Sequence, residues 1–113
     1  MFSSNSFGEW TEVSKDVSGN TFYLDFERIR KVDGYVYYWF LVDLLKPRNG
    51  VLSSKTYNEG DCKLFRWRDL QFVNHKKPMG VDTGESFTNE NPKWSFPPPN
   101  SINEFILEIV CRQ

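Results

Sequence analysis

The chain has 113 residues, which is enough for one hydrophobic core and too few for two. Its 14 lysines and arginines nearly balance 15 aspartates and glutamates, so the net charge of −1 excludes a polybasic protein that binds nucleic acid or anionic membranes through its overall charge. Aromatic residues make up 17% of the chain and alanine does not occur, a bias that favours strands over long helices.

The start of the chain is polar and carries no periodic pattern. Residues 1–8, MFSSNSFG, are interpreted as a disordered lead or an expression remnant, and residues 9–113 as a single domain. The start lacks the basic and apolar regions of a signal peptide, and no later stretch is apolar enough for a transmembrane segment. The protein is therefore either cytosolic or exported with its signal already removed.

Turn signals divide residues 10–73 into strands. The run 35–45 is the strongest strand, and it is apolar on both faces, so each face needs cover. Other features are a hairpin over residues 10–25, an Asp33-Gly34 turn, a strand break at 46–50, a return strand at 51–57, a turn at 58–60 and a long strand at 62–73 bulged near Asp69.

The remaining third of the chain predicts a long loop followed by one helix. Residues 74–100 are rich in Gly, Pro, Asn and Ser, and loops of this length are often functional. Ser101 and Glu104 then have capping-box spacing, followed by apolar residues at helical intervals. The fold class is therefore α+β: a single twisted antiparallel β-sheet of about five to six strands, with a C-terminal helix packed on one face.

The two cysteines, Cys62 and Cys111, lie in no CxxC motif, and a zinc site would need scattered carboxylates. A disulfide is the favoured interpretation, and two buried thiols are the alternative.

The order of short motifs along the chain resembles the surface-adhesin protein E family. The motifs are TFYLD (21–25), YWFLVD (38–43), LSSK (52–55), DCK (61–63), KPMG (77–80), PKW (92–94), PNS (99–101) and VC (110–111). The resemblance implies an exported bacterial protein of the periplasm or cell surface, stapled by a Cys62–Cys111 disulfide. It also implies adhesion to host matrix or serum proteins and an association with haem. No lipobox cysteine supports a lipid anchor, and the matched positions are mostly framework, so no binding segment is carried over.

Few residues or motifs in the sequence indicate a catalytic site. His75 is the only histidine, no GxSxG or phosphate-binding loop occurs, and the pairs Glu59/Asp61 and Asp82/Glu85 are interpreted as solvated charges. His75 with Met79 is an axial combination known for haem, but Pro78 interrupts the spacing, so an exposed loop histidine is favoured and no cofactor or metal is predicted.

Binding is the favoured function, because 19 rings exceed what one helix-covered core needs. Arg66 and Arg68 share one strand face while Phe65 and Trp67 share the other, which speaks against a nucleic-acid platform. We predict an exported, non-catalytic module that contacts an extracellular matrix or envelope protein through an aromatic and basic sheet face and through the 74–100 loop. The alternatives are a self-associating envelope protein, with a homodimer as one form, and a 74–100 loop that covers the face with Phe87, Trp94 and Phe96. The candidate binding residues are Tyr35, Tyr37, Arg66, Arg68, His75, Lys76 and Lys77.

Overall fold

The structure, a computed structural model, describes residues 10–113, so the lead predicted for residues 1–8 lies outside the described residues. Within residues 10–113, two short 3-10 turns, at Phe26–Arg28 and Pro78–Gly80, accompany seven strands and one helix. In chain order these are β1 (Trp10–Lys15), β2 (Thr21–Asp25), β3 (Arg30–Val32), β4 (Tyr35–Arg48), β5 (Val51–Asp61), β6 (Arg66–His75), β7 (Glu85–Thr88) and α1 (Ile102–Cys111).

The strands form one antiparallel sheet in the order β1-β2-β4-β5-β6-β7, and β3 pairs with the first residues of β4. The α+β class is confirmed, but the prediction of five to six strands is wrong, because the sheet has seven. The predicted irregular loop contains β7, which pairs with β6. Strands β3 and β7 are short and exposed on all their residues, so no alternation of apolar side chains identifies them.

Pairing on both sides overrides local turn signals in the long central strands. The turn predicted at residues 58–60 is wrong, because these residues lie inside β5 and Asn58 pairs with Tyr38 on one side and Asp69 on the other. The break predicted at residues 46–50 is an irregularity inside β4, and the chain turns only at Asn49-Gly50. The bulge near Asp69 is confirmed by a register shift opposite it, between Tyr57 and Asn58.

Helix α1 begins at the predicted cap and covers one face of the sheet. The Ser101 hydroxyl accepts the Glu104 N–H at 3.1 Å, and the Glu104 carboxylate accepts the Asn100 N–H at 2.8 Å. The helix and sheet bury a shared cluster of Leu24, Val36, Tyr38, Ile106, Leu107 and Val110. Cys62 and Cys111 form the disulfide that ties the end of this helix to the turn after β5.

The opposite side of the sheet, called the open face below, carries the odd-numbered side chains of β4. Because side chains alternate along a strand, Tyr35, Tyr37, Trp39 and Leu41 point away from the helix. The 3-10 turn Pro78–Gly80 packs over one end of this face, against β4 and β5. The other end lies beside Trp94, in the segment before the helix.

Candidate functional site

Two cross-strand rows on the open face bring the predicted binding residues together. The register of β4, β5 and β6 aligns Tyr35 with Asp61 and Arg66 in one row. In the next row it aligns Tyr37 with Glu59 and Arg68. Four of the predicted binding residues therefore lie side by side, with an acidic residue between each ring and each arginine.

The two acidic residues are buried and hold the arginines in place. Asp61 accepts the Nε–H of Arg66 at 2.9 Å, and Glu59 accepts the Nε–H of Arg68 at 2.7 Å. The interpretation of Glu59 and Asp61 as solvated charges is wrong, because they are 7% and 5% exposed and each is paired with an arginine. Paired charges on packed side chains are oriented in advance, which lowers the entropy cost of using them in a contact.

The ionisation of Asp61 and of Tyr37, one residue in each row, follows from their contacts. Burial acts to raise the pKa of Asp61, but the Leu64 N–H and the Arg66 guanidinium outweigh it, so the pKa lies below its ordinary value. The Tyr37 hydroxyl donates to Glu59 at 2.6 Å, and this bond is the main reason that the pKa of Tyr37 is raised to about 12. At neutral pH Asp61 is therefore a carboxylate and Tyr37 is a neutral phenol.

Trp94 completes the site from outside the sheet. Its ring centroid lies 4.4 Å from the guanidinium carbon of Arg66 and 4.3 Å from that of Arg68, within cation–π range. The Tyr35 ring stacks beside it at a centroid distance of 6.2 Å. Ser95, the residue after Trp94, exchanges two backbone hydrogen bonds with Trp67, and this bridge holds Trp94 in place.

The rings continue from this point along the open face. Tyr57 stacks on Tyr37 at 6.3 Å between centroids and contacts Trp39 at 4.9 Å. Tyr37, Trp39, Tyr57 and Trp94 are half-buried, and Tyr35 is exposed. The arginine–aromatic cluster is defined here as Tyr35, Tyr37, Trp39, Tyr57, Arg66, Arg68 and Trp94.

The cluster corrects the prediction that cations and rings lie on separate surfaces. That inference considered only Phe65 and Trp67, the neighbours of the arginines in sequence, whereas the rings that meet the arginines come from β4, β5 and the loop. The predicted cover by Phe87, Trp94 and Phe96 holds for Trp94 alone, because Phe87 and Phe96 are exposed. Alternation along β4 had placed Tyr35, Tyr37 and Trp39 on one face, but nothing local to Trp94 or Tyr57 indicates their position.

The three remaining candidates, His75, Lys76 and Lys77, lie at the far end of β6 and do not join the cluster. The interpretation of His75 as an exposed loop residue is wrong, because it ends β6 and is only 1% exposed under the 76–84 loop. Its Nδ1 lies 3.3 Å from the Asp82 carboxylate. Lys76 and Lys77 are exposed beside it.

The chemistry open to His75 is limited by this burial. Removal from water, followed by the nearby Lys55 charge, lowers the pKa of His75 below its ordinary value despite Asp82. A ring enclosed in this way cannot reach an external ligand while the loop stays closed, so haem ligation by His75 remains a sequence-based hypothesis with no geometric support.

Residues 10–113 contain no group of three or more His, Cys, Asp or Glu side chains placed to hold a metal ion. Within that range no helix has the length and apolar character needed to cross a membrane.

Comparison with known proteins gives matches to one family and one fold. The family model described as surface-adhesin protein E matches residues 10–112. Crystal form II of Haemophilus influenzae protein E superposes with a TM-score of 0.69 at 16% identity, covering 92% of this chain and 87% of that one. Protein E from non-typeable Haemophilus influenzae superposes with a TM-score of 0.65 at 16% identity, covering 92% and 76%. No curated protein matches the chain in sequence. At this identity the structural matches establish the shared fold.

Proposed function

The chain belongs to the surface-adhesin protein E family, and from this premise we propose that it is an exported, non-catalytic module that binds a protein partner through the arginine–aromatic cluster. Membership supports a role at the bacterial surface. The Cys62–Cys111 disulfide supports an oxidising compartment, the periplasm or the cell surface, because such bonds rarely persist in the cytosol.

The observation that carries the proposal is the position of Trp94 against Arg66, Arg68 and Tyr35. Trp, Tyr and Arg are the residue types that contribute most to protein–protein binding energy. Here they are concentrated on a sheet face that α1 does not cover. Their charges are already balanced by Asp61 and Glu59, so we expect the partner to be held by ring contacts and by the unused guanidinium donors.

The chemistry of the cluster favours a protein partner over a polyanion. A polyanion needs excess positive charge along its backbone, whereas the two arginines here are paired one to one with buried carboxylates. An extracellular matrix, serum or envelope protein presenting apolar and carboxylate groups suits this surface. A surface of this kind also suits a second copy of the chain, so self-association is the alternative that the experiment must separate.

Comparative capture tests the proposal. Immobilised wild-type protein would be exposed to solubilised matrix, serum and bacterial envelope extract, beside the variants Trp94→Ala and Arg68→Ala. The matched control is Phe87→Ala, which removes an exposed ring outside the cluster. We expect a protein retained by the wild type and the control and reduced at least tenfold with either cluster variant, the range for a residue that contributes 1.4 kcal/mol or more.

The outcomes distinguish binding through the cluster from self-association and from the absence of a binding function. A protein retained equally by all four forms would show that binding does not use this cluster. Recovery of only the chain itself, with a concentration-dependent mass in analytical ultracentrifugation, would favour self-association. Failure to retain any protein from the three sources would contradict the binding function.

A further inference from the structure

The 76–84 loop is fastened to the open face by contacts close to His75. The Met79 N–H donates to Asp43 at 2.8 Å, and the Gly80 N–H donates to the Ser53 hydroxyl at 2.8 Å. The Ser53 hydroxyl in turn donates to the Lys77 carbonyl at 2.6 Å. The Lys55 ammonium donates to the Gly80 carbonyl at 3.2 Å. These contacts hold the loop down at several points over a short stretch of sheet.

The loop encloses the imidazole of His75 between two glycines. Gly80 and Gly84 have φ values of +60° and +76°, which side chains rarely adopt. A methyl group at Gly84 would lie 2.6 Å from His75 Nδ1, and one at Gly80 would lie 3.4 Å from Nε2. The loop backbone therefore lies near both edges of the ring, and within residues 10–113 neither ring nitrogen has a hydrogen-bond partner of proper geometry.

The charges that face this ring come from two strands, β4 and β5, and from the loop. Lys55 of β5 approaches Nε2, since a methyl group at Gly80 would lie within 3.4 Å of both that nitrogen and the ammonium. Asp82 of the loop lies beside Nδ1. Asp43 of β4 shares a cross-strand row with Ser53 and His75, but its carboxylate already accepts the Met79 N–H. Glu85 of β7 pairs with Asn74 and so lies on the other face.

This environment accommodates a neutral imidazole and opposes a charged one. A proton on His75 would place a second cation beside Lys55 at a site that is 1% exposed, with Asp82 as the carboxylate that lies beside it. The cost of keeping that charge buried is removed when the loop lifts and the ring is hydrated.

We propose that the 76–84 loop is an acid-released latch, closed over the neutral His75 ring and opened from the sheet when that ring takes up a proton. The opening is local. The helix-side cluster of Leu24, Val36 and Leu107 lies on the opposite face. The disulfide at Cys62 lies beyond Asp61, the last residue of β5, which is about 27 Å from Ser53 at the rise of a strand. None of the four hydrogen bonds that fasten the loop involves that cluster or the disulfide, so the core remains folded when the latch opens.

The direction of the pH effect follows from proton binding. Burial and then Lys55 hold the pKa of His75 in the closed state below its ordinary value of 6.5. The open state therefore binds more protons as the pH falls below about 6.5, and closure loses stability in that range. One proton raises the opening equilibrium constant by up to tenfold per pH unit, until the closed-state pKa is reached.

Amide hydrogen exchange of the intact protein, resolved by NMR between pH 7.5 and pH 5, tests the latch. Protection factors of the Met79 and Gly80 amides should fall by about tenfold per pH unit below pH 6.5. The amides of α1 should keep theirs. In His75→Gln, which cannot take up a proton in this range, protection of the two loop amides should not depend on pH.

A second variant and a direct titration keep the test decisive if His75→Gln misfolds. Lys55→Met removes the neighbouring cation, so the His75 ring should titrate at a higher pH and the loop should respond less to acid. The ring itself is followed through its carbon chemical shifts. A wild-type ring that titrates at pH 6.5 or above would overturn the proposal, as would loop protection that does not change with pH. An equal fall in protection in wild type and His75→Gln would also overturn it.

Discussion

Gly84 shows how closely the 76–84 loop is fitted to a single side chain. Its φ of +76° favours glycine, and its missing side chain leaves room for the His75 ring. Gly50 has a similar φ of +81° in the turn between β4 and β5, but no atom lies within 4 Å of where its side chain would be. The two glycines share a backbone conformation and differ in contacts, so they form a matched pair.

Replacing each glycine by alanine separates conformational strain from close packing. Gly50→Ala should lower the free energy of unfolding by about 1 kcal/mol, the cost of a side chain in the left-handed region. Gly84→Ala should cost about 2–4 kcal/mol, because the new methyl group also displaces the His75 ring. Urea unfolding monitored by tryptophan fluorescence measures both values. Equal losses would show that Gly84 is needed only for its backbone angle.

At the scale of elements, the disulfide joins the sheet to the C-terminal helix. It ties the turn after β5 to the last residue of α1, across a sequence separation of 49. The helix has only ten residues, too few for stability in isolation, so it depends on packing against β2 and β4. The disulfide holds the C-terminal end of that helix against the sheet.

Loss of the disulfide should therefore have a large effect on stability. The double variant Cys62→Ala/Cys111→Ala should lower the free energy of unfolding by about 4 kcal/mol, the chain-entropy value for a loop of about 50 residues. Chemical denaturation of the oxidised wild type and of the variant gives the difference. Titration of unfolded, unreduced wild type should find no free thiol among these two cysteines. Two free thiols would contradict both the disulfide and the proposed compartment.

At the scale of the whole molecule, buried titratable groups bound the pH range of stability. His75 sets an acid limit for the closed 76–84 loop, because its neutral form is favoured when the loop is closed. Tyr37 sets an alkaline limit, because its bond to Glu59 raises its pKa to about 12, while the ordinary value is 10.0. Burial raises the pKa of Tyr38 in the same direction. The neutral forms of these side chains are part of the folded structure.

The alkaline limit gives a prediction with a defined sign. A tyrosine whose folded pKa is raised contributes stability that is complete below pH 10 and lost as the pH rises toward 12. Absorbance titration at 295 nm should show that Tyr37→Phe removes an ionisation near pH 12. Glu59→Gln should shift that ionisation toward pH 10, because the charged acceptor is gone. Loss of an ionisation near pH 10 in Tyr37→Phe, with no shift in Glu59→Gln, would show that Tyr37 does not donate to Glu59 in solution.

Local sequence features determined much of the framework. Alternation located β1, β2 and the body of β4, and the Ser101–Glu104 spacing located the start of α1. These predictions hold because strand and helix starts depend on residues near one another in the chain. The predicted turn at residues 58–60 is wrong because pairing with β4 and β6, which are distant in sequence, outweighs the local turn signal.

The same distinction between local and long-range information applies to the candidate binding site. From sequence, Tyr35, Tyr37, Arg66 and Arg68 were candidates by residue type, and the alternation of their strands placed each pair on one face. Tertiary structure alone decided that these faces coincide, that Trp94 lies against both arginines and that His75 is buried. Strand register and the path of a long loop depend on the sum of many distant contacts, and no short stretch of sequence contains that sum.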